Sequence, residues 1–213
     1  LVTSNISGLN GLDPIPLFQE YLNAPVVADN DVRCALRGEC HLGAARSCTD
    51  AACITLGTGI GGALLLDGRI RRGLGNSAGE IGLSGVFLNP KGLTTLESIW
   101  QDARPKATTF RGRSTSRESI LSLSGVDPAV LGHLAAAVLS LHRTIELERI
   151  VFGGVATLYG KAIVEGIAQI IRTKPEDGIP FDCDLALAEL GIYAGATGAA
   201  CLVMEAAELI RRL

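Results

Sequence analysis

The sequence predicts an α/β fold, and three observations carry that reading. Short apolar runs, Ala52-Cys53-Ile54-Thr55-Leu56 and Ile150-Val151-Phe152, alternate with longer stretches of helical spacing. Both of these runs end directly in glycines, as strands do when they bring backbone close to a ligand. The composition is 47% hydrophobic and 19% charged over 213 residues, enough for a substantial core and unlike a disordered chain. Aromatic residues make up only 4%, so Leu, Ile, Val and Ala must fill that core.

The elements follow in order. Asp13 to Leu22 reads as a short helix with Pro14 near its start. Pro25-Val26-Val27-Ala28 reads as a strand ending at Asp29-Asn30-Asp31. Val32 to Ala45 has helical spacing, with Ala35, Leu36, Leu42 and Ala45 as its apolar positions. The strand 52–56 runs into the glycine-rich segment Gly57-Thr58-Gly59-Ile60-Gly61-Gly62, and Ala63 to Leu66 forms a second strand. Asp67-Gly68 is a two-residue hairpin turn that returns through Arg69-Ile70 and holds the glycine segment on a sheet edge. Arg71 to Gly85 reads as a glycine-rich loop containing Gly79-Glu80-Ile81-Gly82. Leu96 to Gln101 opens a helix, and Val130 to Leu147 is strongly helical. A buried strand at 150–152 meets Gly153-Gly154, followed by a helix around Tyr159 to Arg172, a strand at Leu185-Ala186-Leu187 and a long final helix from Gly191 to Arg212. No repeat of solenoid length and no clear linker divides the chain.

Charge and cysteine usage exclude several functions. The net charge is −3 with no long basic run, so nucleic acid is not an expected partner. The basic stretch from Arg104 to Arg117 reads as a solvated loop. No apolar run is long enough for a bilayer and no signal-peptide pattern opens the chain, so no membrane partner and a cytoplasmic location are expected. Six cysteines form no CxxC pair. Cys40 beside His41 invites a metal reading, but the spacings do not match a compact zinc site, and reduced, mostly buried thiols fit better.

Two segments have the chemistry of a site. The glycine segment would let backbone N–H groups converge on phosphate oxygens, with the Thr58 hydroxyl as a further donor; equally, it could be a tight hairpin corner. It lacks the Gly-Lys-Ser/Thr of a P-loop and precedes a hairpin and not a helix, which sets it apart from the dinucleotide fingerprint. Asp31, placed at a strand end, can take a proton from a hydroxyl in phosphoryl transfer, or can merely cap the helix that follows. Asn30 can donate to and accept from a sugar hydroxyl. Glu80 and Glu97 are either surface carboxylates or bidentate partners for adjacent hydroxyls.

The order of these pieces resembles the ROK family of sugar kinases and sugar-responsive repressors. Asn30-Asp31, Gly38-Glu39, Leu56 to Gly62, Asp67-Gly68, Gly73 and Ala78-Gly79-Glu80-Ile81-Gly82 carry the resemblance, with Ile150 to Gly154 and Gly191 to Ala200 continuing it. It covers nearly the whole chain and is poor from Arg104 to Val130. It implies the actin-like, ribonuclease-H-like ATPase fold, with two lobes around a cleft. Residues 1–51 would end the small N-terminal lobe and residues 52–213 would form the large one, the last helix packing back on the small lobe.

By the same resemblance, Asp31 is the catalytic base, and Asn30, Glu80 and Glu97 hold the sugar. Gly57, Thr58, Gly59, Gly61 and Gly62 line the phosphates of ATP, Gly153 and Gly154 approach the nucleoside, and Mg²⁺ accompanies the nucleotide. A homodimer is implied. Three departures stand out. The family's Asp-x-Gly-Gly-Thr phosphate loop has no counterpart here, so the first lobe is expected to be incomplete and this stretch of chain to have little activity by itself. Leu83 follows Gly82 where the family often has His. Val86 to Thr95 has no cysteine, so no structural zinc is expected. The expected activity is ATP-dependent phosphorylation of a hexose or N-acyl hexosamine. A sugar-sensing regulator with an upstream helix-turn-helix and a non-catalytic remnant are the alternatives.

Overall fold

Neighbouring residues of strand β1 (Ala51–Leu56) face opposite layers, and both layers are buried. Ala52, Ile54 and Leu56 join an apolar cluster with Leu134, Phe152 and Ile163. Ala51 and Cys53 join a second cluster with Val32, Leu36 and Val151. A two-residue side-chain period with both faces covered is why this strand reads as a continuous apolar run. The computed structural model describes residues 11–84, 86–89, 92–103, 126–173 and 180–211.

β1 pairs antiparallel with β2 (Ile60–Leu66), which pairs antiparallel with β3 (Arg69–Arg71). Asp67 and Gly68 both take positive φ, +50° and +70°, as the primed hairpin turn requires. A separate two-stranded ladder joins β4 (Val86–Asn89) to β5 (Gly92–Thr95). On the other side of β1 lies β6 (Arg149–Gly154), parallel to it, and then β7 (Asp184–Leu187), parallel to β6. The order across the main sheet is β3-β2-β1-β6-β7.

Helices cover both faces. Asp13 caps α1 (Pro14–Tyr21), accepting the Ile15 N–H at 3.1 Å. Next come α2 (Asp31–Leu42), the single turn α3 (Ile81–Ser84) and α4 (Leu96–Ala103). Asp127 caps α5 (Pro128–Ile145), with Pro128 preset for its first turn. After the short α6 (Ala156–Tyr159), α7 (Lys161–Arg172) buries Ile163, Ile167 and Ile171 on one stripe, four residues apart. α5 and α7 contribute to the first cluster and α2 to the second. The final α8 (Ala194–Arg211) follows a 3₁₀ turn at Gly191–Tyr193 and packs along α2. That contact is close because two glycines face it. A Cβ on Gly38 would lie 2.7 Å from the Ala194 carbonyl oxygen, and one on Gly198 would overlap the Cys34 carbonyl.

Four sequence expectations need correction or restriction. Pro25 to Ala28 is not a strand: the segment is largely exposed, and no described strand lies beside it to complete a ladder. The glycine segment is not on a sheet edge, because β1 and β2 both have neighbours on each side. Only residues 57–59 form the turn, while Gly61 and Gly62 already pair with Thr55 and Ile54 inside the sheet. The β4–β5 hairpin leaves no clear signal in the sequence, since its strands are four residues each and lack alternation. The loop expected from Arg104 to Arg117 lies outside the described residues, in which no helix is long and apolar enough to cross a membrane.

Candidate active site

A cleft of about 630 Å³ opens where the carboxyl ends of β1 and β6 meet the N-terminus of α2. In parallel α/β sheets this is where ligands are placed. All the residues singled out from sequence line this one cleft: the pair at 30–31, the glycines of 57–62 with Thr58, Glu80, Glu97 and Gly153-Gly154.

The structure assigns the local roles at the start of α2. Asn30 is the helix cap: its Oδ1 accepts the N–H groups of Val32 at 2.9 Å and Arg33 at 3.1 Å. That leaves its Nδ2 as the group able to meet a ligand. Asp31 is exposed in the first helical turn, and one of its oxygens accepts the Val32 N–H at 2.9 Å. The other oxygen is available to the cleft.

The glycine turn is held from three directions. Gly57 N–H donates to the Gly59 carbonyl at 2.9 Å, and the Trp100 indole donates to the Gly57 carbonyl at 2.9 Å. Ile60 N–H donates to Glu97 Oε2 at 3.0 Å, while Glu97 Oε1 accepts the Gln101 amide at 3.1 Å. Glu97 therefore steadies the turn as well as lining the cleft. Among the described residues, the N–H groups of Thr58 and Gly59 have no protein acceptor. Two adjacent backbone donors of that kind suit an anion.

Glu80 is presented by a loop that touches β2 backbone to backbone. A Cβ on Gly62 would overlap the Gly79 carbonyl, and Gly79, at φ +90°, would place its own Cβ 3.0 Å from Ala63 Cα. Gly154 closes on β1 in the same way, at φ +65°, and Val155 N–H donates to the Leu56 carbonyl at 2.8 Å.

Two buried carboxylates have structural roles that sequence reading did not assign. Glu39, inaccessible to solvent, accepts N–H groups from Ala44 at 2.7 Å, Glu189 at 3.1 Å and Leu190 at 2.9 Å. It ties α2 to the segment leading into Gly191, another cleft residue. The available signal was an acidic residue three positions beyond Leu36, on the apolar side of the helix. Asp29 accepts Arg33 Nε at 2.6 Å, Arg72 Nη2 at 2.8 Å and the Asn30 N–H at 2.9 Å. Burial alone would raise its pKa, but the Arg33 hydrogen bond, the Asn30 N–H and the Arg33 and Arg72 charges outweigh it, holding the group below the ordinary 3.8. A depressed carboxylate stabilises the fold fully above its unfolded pKa, and that stability is lost as pH falls through the native one. An Asp29→Asn variant should therefore show a flatter fall in stability below about pH 4, measured by urea melts followed by circular dichroism.

The cysteines are free thiols, four of them buried. Burial pushes Cys40, Cys53 and Cys183 up to about 12. At pH 8 a thiol of that pKa is thiolate only about one part in ten thousand, so alkylation of native protein by iodoacetamide at these three positions should be slow until urea is added. Peptide mass spectrometry reads this directly.

Residues 1–92 match the model of the ROK family. The bifunctional enzyme NanE/NanK of Brucella melitensis is 31% identical over 191 residues, which are 85% of this chain and 36% of that protein. A glucokinase of Halalkalibacterium halodurans is 27% identical over 217 residues, 88% of this chain and 66% of its own. The chain thus spans about a third of the first and just under two thirds of the second. A ROK family glucokinase from Streptomyces griseus, solved with glucose and AMPPNP, superposes with a TM-score of 0.65 at 22% identity, covering 88% of this chain and 71% of that one. Residues 1–92 carry the ROK family match, and the kinase relatives and the shared actin-like ATPase fold agree with it over most of the chain.

Proposed function

We propose that this chain forms the active-site part of an ATP-dependent sugar kinase, transferring the γ-phosphoryl group to a hydroxyl of a hexose or N-acyl hexosamine. One observation carries the reading: a single cleft brings together an exposed aspartate, a turn with two unpartnered backbone N–H groups and a second glycine pair. The kinase relatives and the glucose and AMPPNP complex of the Streptomyces griseus protein support it.

The residues divide the work by chemistry. Asp31 takes the proton from the attacking hydroxyl, which becomes a better nucleophile as its O–H bond lengthens. Asn30 Nδ2 and the Glu80 carboxylate orient that sugar. Glu97 keeps lone pairs for a hydroxyl after accepting the Ile60 N–H. Thr58 and Gly59 donate to phosphate oxygens, and Gly153-Gly154 leave room for the nucleoside. When bound, ATP supplies the phosphoryl group and Mg²⁺ neutralises its charge. Among the described residues no three His, Cys, Asp or Glu side chains converge, so the ion would be held largely by the phosphates. A lobe boundary near residue 51, a cytoplasmic site of action and a homodimer belong to the same reading.

The test is a coupled ADP-release assay on the full-length protein with a panel of hexoses and N-acyl hexosamines. Sugar-dependent ADP release is expected. Release no faster with any sugar than with water alone sinks the proposal, and calorimetric sugar binding without release would point to the sugar-sensing alternative.

A further inference from the structure

Asp29 joins the loop carrying Glu80 to the helix carrying Asp31. Its side chain is 1% exposed and meets three guanidinium groups, from Arg33, Arg72 and, at 3.5 Å, Arg37. The loop is held at two points. Arg72, which follows β3 at the loop's start, binds Asp29 directly. Arg33, itself buried, spends Nε on Asp29 and Nη1 on the Asn76 carbonyl at 2.8 Å. Asn76 sits at φ +58°, four residues before Glu80. Arg33 also lies two residues beyond Asp31, in the same helical turn.

A buried ion cluster is weak evidence for stability, because desolvation offsets most of its attraction. What such a cluster does supply is fixed geometry, and here the geometry is that between Asp31 and Glu80. We propose that Asp29 and Arg33 are positioning residues: bridging the start of α2 to the loop of residues 72–80, they set the spacing between the proton acceptor and the carboxylate that orients the sugar. The proposal rests on the kinase reading for its kinetic consequence, but its structural claim stands apart from it. Neither residue lines the cleft, so both act through the groups they hold.

Misplacing a reacting group by about 1 Å can cost on the order of 100-fold in rate. In Arg33→Gln, which cannot make both contacts, kcat/KM for the sugar should fall about 10- to 100-fold, while KM for ATP stays within about twofold. Arg33→Lys keeps the charge but not the two-point fork, and should recover only part of that loss. A merely structural role would instead lower the melting temperature and depress the sugar and ATP parameters together. Hydrogen exchange followed by mass spectrometry separates this proposal from the kinase reading. Exchange over residues 73–80 should rise in Arg33→Gln and in Arg72→Gln relative to wild type, whether or not the wild type phosphorylates any sugar. Unchanged exchange in both variants overturns the bridging claim. Faster exchange with sugar kcat/KM within about twofold of wild type overturns the positioning role. Absence of sugar-dependent ADP release in wild type overturns the kinase reading alone, and the exchange data still decide the bridge.

Discussion

Replacing Asp31 with Asn will cut sugar-dependent ADP release by about 10²- to 10⁴-fold, with little change in fold stability or ATP binding. The amide cannot accept a proton from the sugar hydroxyl, and that range is what one positioned general base contributes. The fold should survive because the helix cap belongs to Asn30 and not to Asp31. Asparagine can also keep the one local contact, since its Oδ1 can accept the Val32 N–H as the carboxylate does. The remaining loss is a negative charge in the first turn of α2, worth about 0.3–1 kcal/mol in the helix dipole. Steady-state kinetics with the sugar and ATP varied separately, alongside a thermal melt, check each part. Turnover unchanged in this variant would remove Asp31 from the role of base.

Replacing Gly198 with Ala will loosen the α2–α8 contact and destabilise the protein by about 3 kcal/mol, the upper part of the range for overpacking. The added methyl would overlap the Cys34 carbonyl and would also lie 2.9 Å from the Gly38 backbone nitrogen. Both obstacles are backbone, so no rotamer change relieves them and the two helices must move apart. For a chain of this size that corresponds to a melting temperature lower by about 6–12 °C. The shift should extend to the cleft, because α2 carries Asn30 and Asp31 at one end and Glu39 on its buried face. A Gly132→Ala substitution is the natural control: it lies in the helix α5, its added methyl meets nothing within 4 Å among the described residues, and it should be neutral or slightly stabilising. An unchanged melting temperature in the Gly198 variant would show that the two helices can separate at little cost.

Much of the fold was legible because its causes are local. Asp67-Gly68 had to be a turn, since both residues take positive φ at small steric cost. Pro14 marks a helix start by its fixed φ, whereas the helix read from Val130 begins two residues earlier, at Pro128, behind the Asp127 cap. The failure at Pro25 to Ala28 has the opposite cause: an apolar run becomes a strand only when another strand supplies the ladder, and that partner is not written in the run itself.

The glycine segment shows the same division within six residues. Its composition promised close backbone approach, and the structure has it, but in two separate forms. Residues 57–59 make an open turn with free donors, whereas Gly62 is glycine because the Gly79 carbonyl occupies the place of its Cβ.

By itself, the sequence determined the alternation of strands and helices, the hairpin after β2 and which segments carry reactive groups. Periodicity and backbone preference decide these within a few residues. Only the tertiary structure decided what each polar group is occupied with. Asn30 Oδ1 is spent on its own helix, one Glu97 oxygen on Ile60, and Glu39 on residues 150 positions away. Arg33 reaches Asn76 across 43 residues, which is how Asp31 and Glu80 come to share one frame. Such pairings depend on where the sheet places distant loops, and a hydrogen bond selects its partner by distance and angle, not by separation along the chain.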